Sequence, residues 1–499
     1  MEFVKWHSTG LSLSELILNS KSGGIFLLLI LRIGFLLMML LSFDHSAIAM
    51  AQIPLRGVVE GFYGKPWTQE ERLSQFSFYG EKGLNAYIYA PKDDPLHRAK
   101  WREPYPEEKL KELRKLIVVA EKYGVEFIFA VSPGLDLHFE DAAGENDRQA
   151  MLLKLGTLYQ AGVRRFAVFF DDIENRNGKG QAAFLNWLNE HLVHRYDGIK
   201  PLIVVPTEYF LEDMVQDRVV KAYTADFATA LDKDILVLYT GQTVVPEGIS
   251  VQDMQMVSEI YGRKIGVWWN YPVSDYLKEK LALGPVHNLE GSEDMAAFFM
   301  NPMEHAELSK LTLATGADFA RNPSKYDEEV SWQQALHEQY GDQARNMELF
   351  AEHSQRMEND WAHTGRQDAP YMRKQMNILW EKIETKRNAK FEILWLKNSF
   401  IHLEEASKEL LEVLPQKKLD ECKPQLQLLA LTAVADHRAI AMIEAEINGE
   451  TQLSRKYYRL LLGERAKLID KEKNTKISEK TARAFVDEAA LWYENRHKK

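Results

Sequence analysis

The sequence predicts a parallel (β/α)8, or TIM, barrel followed by an all-α helical bundle. Short, nearly continuous apolar runs alternate with helical stretches from residue 55 onward. Those runs cease at about residue 325, and helical periodicity alone continues to the end. Near-continuous apolar runs suit parallel strands buried on both faces.

In chain order the runs are LRGVVEGFYG (55–64), LNAYIYAPK (84–92), VEFIFAVSPG (125–134), RRFAVFFDD (164–172), PLIVVPTEY (201–209), DILVLYTG (234–241) and KIGVWWNYP (264–272). An eighth lies near FFMNP (298–302) or just after it. Between them, Thr68 and Glu71 form a capping box. Leu110, Leu113, Ile117 and Ala120 recur at helical spacing before Gly124, and Leu152, Leu155 and Leu158 do so before Gly162. Seven or eight such units over roughly 270 residues match a barrel of the usual ~250 residues. An open doubly wound sheet is the alternative, but no glycine-rich first turn supports it. The expected bounds are 54–325 for the barrel and 326–499 for the bundle. In the bundle, Ile393, Leu396, Phe400, Leu403, Leu410 and Leu414 mark one helix closed by Pro415. A second is expected from Pro424 to about Ile447, ending at Asn448-Gly449, and a third carries Ala484, Phe485, Ala489 and Trp492.

Residues 1–53 differ from the rest. IFLLLILRIGFLLMMLLSF (25–43) is long enough to cross a bilayer, and SAIAMA resembles the small-x-small pattern of a signal cleavage site. A secreted or membrane-anchored protein is expected. Translation from Met50 would instead leave a cytoplasmic one.

Hydrophobic content of 45% with 11% aromatics is globular, and the net charge of −11 argues against a nucleic-acid binder. Cys422 is the single cysteine, so no intramolecular disulfide forms. Zinc spacings, HExxH, GxGxxG and the Walker loop are absent, so no metal or cofactor is expected and a cofactor-free hydrolase or a binding protein remains.

In a barrel of this kind the active site lies at the C-terminal strand ends. There the sequence sets Glu60-Gly61-Phe62-Tyr63-Gly64, Lys92-Asp93-Asp94, Asp171-Asp172, Glu208-Tyr209 and Trp268-Trp269-Asn270, with Asp275 just beyond. Carboxylates, amides and aromatic faces are what a sugar site needs: polar partners for hydroxyls and a ring for the apolar sugar face. Two carboxylates suit glycoside hydrolysis, and adjacent acids split their pKa values. Singly, each residue has a plainer reading. An Asp pair at a strand end caps a turn, Lys92 is a loop cation, the tryptophans are core, and Asn301 before Pro302 caps a helix.

RGVVEGFYGKPW, NAYIYAPKDDPLHRAKWREPY, FAVSPGLD, FDDIEN, PTEY, WWNYPVSDY, ALGPVHNL and NPMEHAELSK resemble the signature blocks of the family-84 glycoside hydrolases. These are β-N-acetylglucosaminidases that include bacterial secreted hexosaminidases and the eukaryotic O-GlcNAcase. The blocks keep the family's order over roughly residues 55–320, and the likeness continues more weakly through DWAHTGRQDAP. The resemblance implies a retaining exo-β-N-acetylglucosaminidase with a carbohydrate substrate. Asp171 would orient the substrate's 2-acetamido group, whose oxygen attacks the anomeric carbon to give an oxazoline, and Asp172 would be general acid and then base. The Gly61 carbonyl, Lys92, Asn270, Asp275 and Asn301 would hold the sugar, Tyr223 the acetamido group, Trp268 the N-acetyl pocket and Trp361 the aglycone side. Trp361 could equally be bundle core. Many secreted relatives carry an extra α/β domain before the barrel and sugar-binding modules after the bundle, so a minimal catalytic unit is expected here. The alternatives are a same-fold glycosidase with an enzyme-borne nucleophile and a non-catalytic GlcNAc-binding surface protein.

Overall fold

Successive side chains along a strand face opposite sides of the sheet, and this parity organises the barrel. A computed structural model describes residues 52–498. The eight strands of the barrel are β1 (Leu55–Glu60), β2 (Ala86–Tyr89), β3 (Glu126–Val131), β4 (Arg165–Phe169), β5 (Ile203–Val205), β6 (Leu236–Tyr239), β7 (Ile265–Trp269) and β8 (Met295–Met300). They are all parallel and close in the order β1-β8-β7-β6-β5-β4-β3-β2. Closure pairs Leu55 with Ala297 and Val58 with Met300. The eighth strand therefore lies just before and into FFMNP.

One set of residues fills the barrel interior: Val59, Ala86, Ile88, Ala90, Ala167, Phe169, Trp268, Ala297 and Phe299 among them. Their neighbours Val58, Tyr87, Phe166, Val168 and Val267 face the surrounding helices instead. Both faces are apolar, which is why the runs read as continuous in sequence.

The helices around the barrel are α1 (Gln69–Lys82), α2 (Glu107–Lys122), α3 (Asp141–Gln160), α4 (Gly178–Leu188), α5 (Ala222–Ala230), α6 (Val251–Tyr261) and α7 (Ala306–Arg321). The Thr68–Glu71 capping box forms as expected. On α3 the buried face carries Met151, Leu155 and Leu158, with Leu152 only partly covered, so the helix is rotated slightly from its expected face.

Beyond the barrel come α8 (Glu328–Tyr340), α9 (Ala344–Glu352), α10 (Pro370–Glu384), α11 (Lys390–Val413), α12 (Gln416–Ile447), α13 (Thr451–Lys471) and α14 (Ala482–His497). Helix α12 starts at Gln416, eight residues before the expected Pro424, and that proline lies inside it. A proline removes one backbone donor, and the apolar face of α12, Leu419, Cys422, Leu426 and Leu429 among it, is buried on both sides of Pro424. The Glu421 carboxylate on α12 accepts the backbone N–H groups of Glu307 and Leu308 at 3.0 and 2.8 Å. It thereby caps α7, the helix that follows strand β8. The expected export or anchor segment, its apolar run 25–43 and the alternative start at Met50 lie outside the described residues.

Candidate active site

The inward parity of each strand continues past its last paired residue, and that continuation builds the site. On β1 it runs Leu55, Gly57, Val59, Gly61; on β2, Ala86, Ile88, Ala90, Lys92. On β4 it runs Ala167, Phe169, Asp171; on β7, Gly266, Trp268, Asn270; on β8, Ala297, Phe299, Asn301. All five terminal residues line one cavity of about 380 Å³ at the C-terminal mouth of the barrel, with Asp172, Trp268, Asp275 and Trp361. That size and lining suit a small polar ligand with an apolar face.

Asp172 breaks the parity. Phe170 faces the helices, so strict alternation makes Asp171 inward and Asp172 outward. Asp172 instead takes φ 56°, a left-handed conformation that Asp and Asn adopt more readily than other non-glycine residues. This turn brings both acids to the same cavity.

Each acid is held by a different set of groups. Lys92 Nζ is ion-paired with Asp171 Oδ2, and both side chains are almost wholly buried. The other oxygen, Asp171 Oδ1, has no hydrogen-bond partner in the protein. Asp172 accepts from Tyr209 Oη at 2.9 Å through Oδ1 and from Tyr63 Oη at 2.6 Å through Oδ2. Burial pushes the Asp172 carboxyl up, but Lys92, the two phenols and Arg98 together hold it below the usual carboxylate range.

The cavity floor is an amide network. Gly61 N–H donates to Asn301 Oδ1 at 3.3 Å, Asn301 Nδ2 donates to Asn270 Oδ1 at 3.0 Å, and Trp268 Nε1 donates to the same oxygen at 2.8 Å. Gly61 is required by close approach, because a Cβ there would meet Trp268 Cζ2 at 2.4 Å. Beneath it, buried Glu60 receives Arg72 in two bonds of 2.8 and 2.6 Å and fixes the end of β1. Asp275 Oδ2 accepts the Tyr63 N–H at 2.7 Å, and burial raises the Asp275 pKa.

The family model described as beta-N-acetylglucosaminidase matches residues 56–352, and that of the hyaluronidase post-catalytic domain-like region matches residues 371–486. The chain belongs to the β-N-acetylglucosaminidase family, the family-84 glycoside hydrolases. It is 37% identical over 238 residues to the protein O-GlcNAcases of Mus musculus and Rattus norvegicus, across 46% of this chain and 26% of each relative. The match thus spans about a quarter of those curated relatives. The solved structure of CpGH84B is 39% identical, with a TM-score of 0.85 over 88% of this chain and 77% of that one. A mutant of the Thermobaculum terrenum O-GlcNAc hydrolase is 28% identical, with a TM-score of 0.79 over 90% and 98%.

Within this family frame one expected residue is corrected. Tyr223 does not line the cavity. It lies buried on α5, where its hydroxyl accepts the Thr207 N–H at 2.8 Å and donates to Gln181. Tyr209, two residues past Thr207, is the tyrosine that reaches Asp172. Ile203, Val205 and Tyr209 share the barrel interior at even spacing, and that spacing is the signal that distinguishes Tyr209; Thr207 between them turns instead to Gln181 on α4.

Trp361 enters from the post-barrel segment. A hairpin of β9 (Met357–Glu358) and β10 (His363–Thr364) carries it. The hairpin docks on the barrel through His363 N–H to the Val245 carbonyl at 3.3 Å and Arg356 to Glu247 at 2.7 Å. Trp361 is 47% exposed and tilts against Tyr276 with ring centroids 5.1 Å apart, at the lip of the cavity and not in the bundle core. Tyr63, which the sequence places at the end of β1 without a role, and Arg98, which no strand end carries, also reach Asp172.

Proposed function

We propose that this protein is a retaining exo-β-N-acetylglucosaminidase that removes terminal β-linked GlcNAc by substrate-assisted catalysis. O-GlcNAc-modified proteins are the substrate class suggested by the names of its relatives. The observation that carries the reading is the unequal setting of the two acids: Asp171 keeps one unpaired buried oxygen beside its Lys92 ion pair, while Asp172 sits in the same cavity among hydroxyl donors.

In the first step the acetamido N–H donates to Asp171 Oδ1, and the acetamido oxygen attacks the anomeric carbon. The bond to the leaving oxygen breaks as Asp172 delivers a proton to it. The acetamido proton passes toward Asp171, leaving a neutral oxazoline. In the second step Asp172 takes a proton from water as that water attacks the anomeric carbon; the oxazoline C–O bond at that carbon breaks, the nitrogen takes back the proton held by Asp171, and the β configuration is restored. No enzyme nucleophile is required, which fits the substrate-assisted exception to the two-carboxylate scheme. Trp268, Asn270 and Asn301 surround the sugar, and Trp361 flanks the aglycone. Export or anchoring through residues 25–43 is part of this proposal, and N-terminal sequencing of the native protein tests it.

A chromogenic aryl β-GlcNAc substrate tests the activity. The wild-type protein should release the aryl group, and Asp172→Asn should lose about 10²–10⁴-fold with a poor leaving group. A wild-type rate equal to that of Asp172→Asn would overturn the hydrolase reading in favour of a GlcNAc-binding protein.

A further inference from the structure

An acid catalyst must carry a proton when substrate arrives, yet the surroundings of Asp172 favour its carboxylate. Resting on the function proposed above, we infer that Tyr63 and Arg98 form a gate on Asp172, keeping it ionised in the ligand-free site and letting it take up a proton when a sugar hydroxyl engages Asp275. Tyr63 spans the two carboxylates: its N–H donates to Asp275 Oδ2 at 2.7 Å, and its hydroxyl donates to Asp172 Oδ2 at 2.6 Å.

Arg98 fixes the direction of the second bond. Its Nη1 donates to the Tyr63 hydroxyl oxygen at 2.6 Å, and its Nη2 donates to the Asp172 main-chain carbonyl at 3.2 Å. A phenol can donate to a carboxylate or accept from a carboxylic acid. With its oxygen engaged by Arg98, the Tyr63 hydroxyl is steered into donating, the mode that favours ionised Asp172. Arg98 is a positioning residue in this scheme, since it meets Asp172 only at the main chain and through Tyr63.

Tyr63 is 40% exposed, and Gly64 beside it has φ 118°, open to few residues but glycine. A sugar hydroxyl bonded to Asp275 Oδ2 competes with the Tyr63 N–H, and displacement of Tyr63 removes one donor from Asp172. The carboxylate then takes one proton from solvent. The other groups facing Asp172 are Lys92, Asp171, Tyr209 and Asp275. None of them contacts both Asp275 and Asp172 as Tyr63 does.

The test compares pH profiles on an aryl β-GlcNAc with a poor leaving group. The basic limb of kcat/KM reports the free enzyme, and that of kcat reports the complex. In the wild type the kcat limb should lie at higher pH. In Tyr63→Phe and Arg98→Met the kcat/KM limb should rise by roughly half to one unit toward it, with the kcat limb unmoved. Arg98→Lys, which keeps the charge, should return most of the shift.

Rates that fall in both variants while the kcat/KM limb stays within about 0.2 unit of wild type would overturn the gate and leave the hydrolase reading standing. A basic limb that persists in Asp172→Asn, or a wild-type protein that releases no aryl group, would overturn both. Thermal unfolding of each variant separates misfolding from a shifted limb, and partly exposed Tyr63 tolerates Phe without a new cavity.

Discussion

The Tyr209 hydroxyl donates to Asp172 Oδ1 at 2.9 Å, so the end of strand β5 holds the acid delivered by the end of strand β4. The residue expected from sequence, Tyr223, lies one step behind and holds the Thr207 N–H of the same turn. Tyr209→Phe should therefore lower kcat by about 10–100-fold, the worth of a hydrogen bond to a charged group. Tyr223→Phe should change kcat much less and instead cost about 1 kcal/mol of stability, because it leaves the buried Thr207 N–H unpaired. Steady-state kinetics and thermal unfolding of the two variants side by side read the difference.

Lys92 and Asp171 form a buried ion pair, and removing one partner strands the other. Lys92→Met should destabilise the protein by about 3–5 kcal/mol and lower activity steeply. Lys92→Met with Asp171→Asn should recover much of the stability and none of the activity. Denaturant unfolding of Lys92→Met, Asp171→Asn and the double variant forms the cycle. Equal stability of the single and double variants would contradict a coupled pair.

Gly61→Ala places a methyl group against the Trp268 ring. The indole is packed edge-on to Phe169 at 5.2 Å and bonded to Asn270, so it yields toward the cavity that it lines. KM for the aryl glycoside should rise at least ~10-fold, with a smaller change in kcat, as the wall of the N-acetyl pocket shifts. An unchanged KM would mean that Trp268 is not that wall.

Asp436 on α12 is fully buried, and neither carboxyl oxygen has a hydrogen-bond partner. Burial holds its pKa well above the ordinary value. The unfolded chain ionises this group above about pH 4 while the folded chain stays protonated, so stability falls as pH rises through that window. Asp436→Leu should thus raise Tm at pH 7, with a gain of about 1–3 kcal/mol that shrinks to little below about pH 3.5. A Tm unchanged or lowered at pH 7 contradicts the unpaired carboxyl.

How much of this was legible in sequence depends on whether a residue obeys a period. The eight strands and the Asp171-Asp172 pair follow from apolar runs and their polar ends. The separate placing of the two acids does not, because it depends on the left-handed turn at Asp172, which no local residue pattern announces. Tyr209 is legible through its even spacing from the inward Ile203 and Val205 of β5, whereas Tyr223 of KAYTADF lies on a helix that carries no such alternation. Arg98 lies in turns between β2 and α2, and Trp361 on a two-strand hairpin. Neither segment has a periodicity from which a side chain's destination can be deduced. Pro424 misled because a proline marks a helix start in sequence, whereas burial along α12 carries the helix through it.

In substrate-assisted catalysis the nucleophile arrives with the substrate, so its reactivity can be varied alone. A series of aryl β-glycosides whose N-acetyl methyl carries zero, one, two or three fluorine atoms lowers the basicity of the acetamido oxygen stepwise and leaves the aryl group constant. The value of kcat/KM should fall steeply and progressively along the series, by several orders of magnitude in total, because bond formation by that oxygen is part of the transition state. A rate that stays flat across the series would contradict substrate assistance and assign the nucleophile to the enzyme.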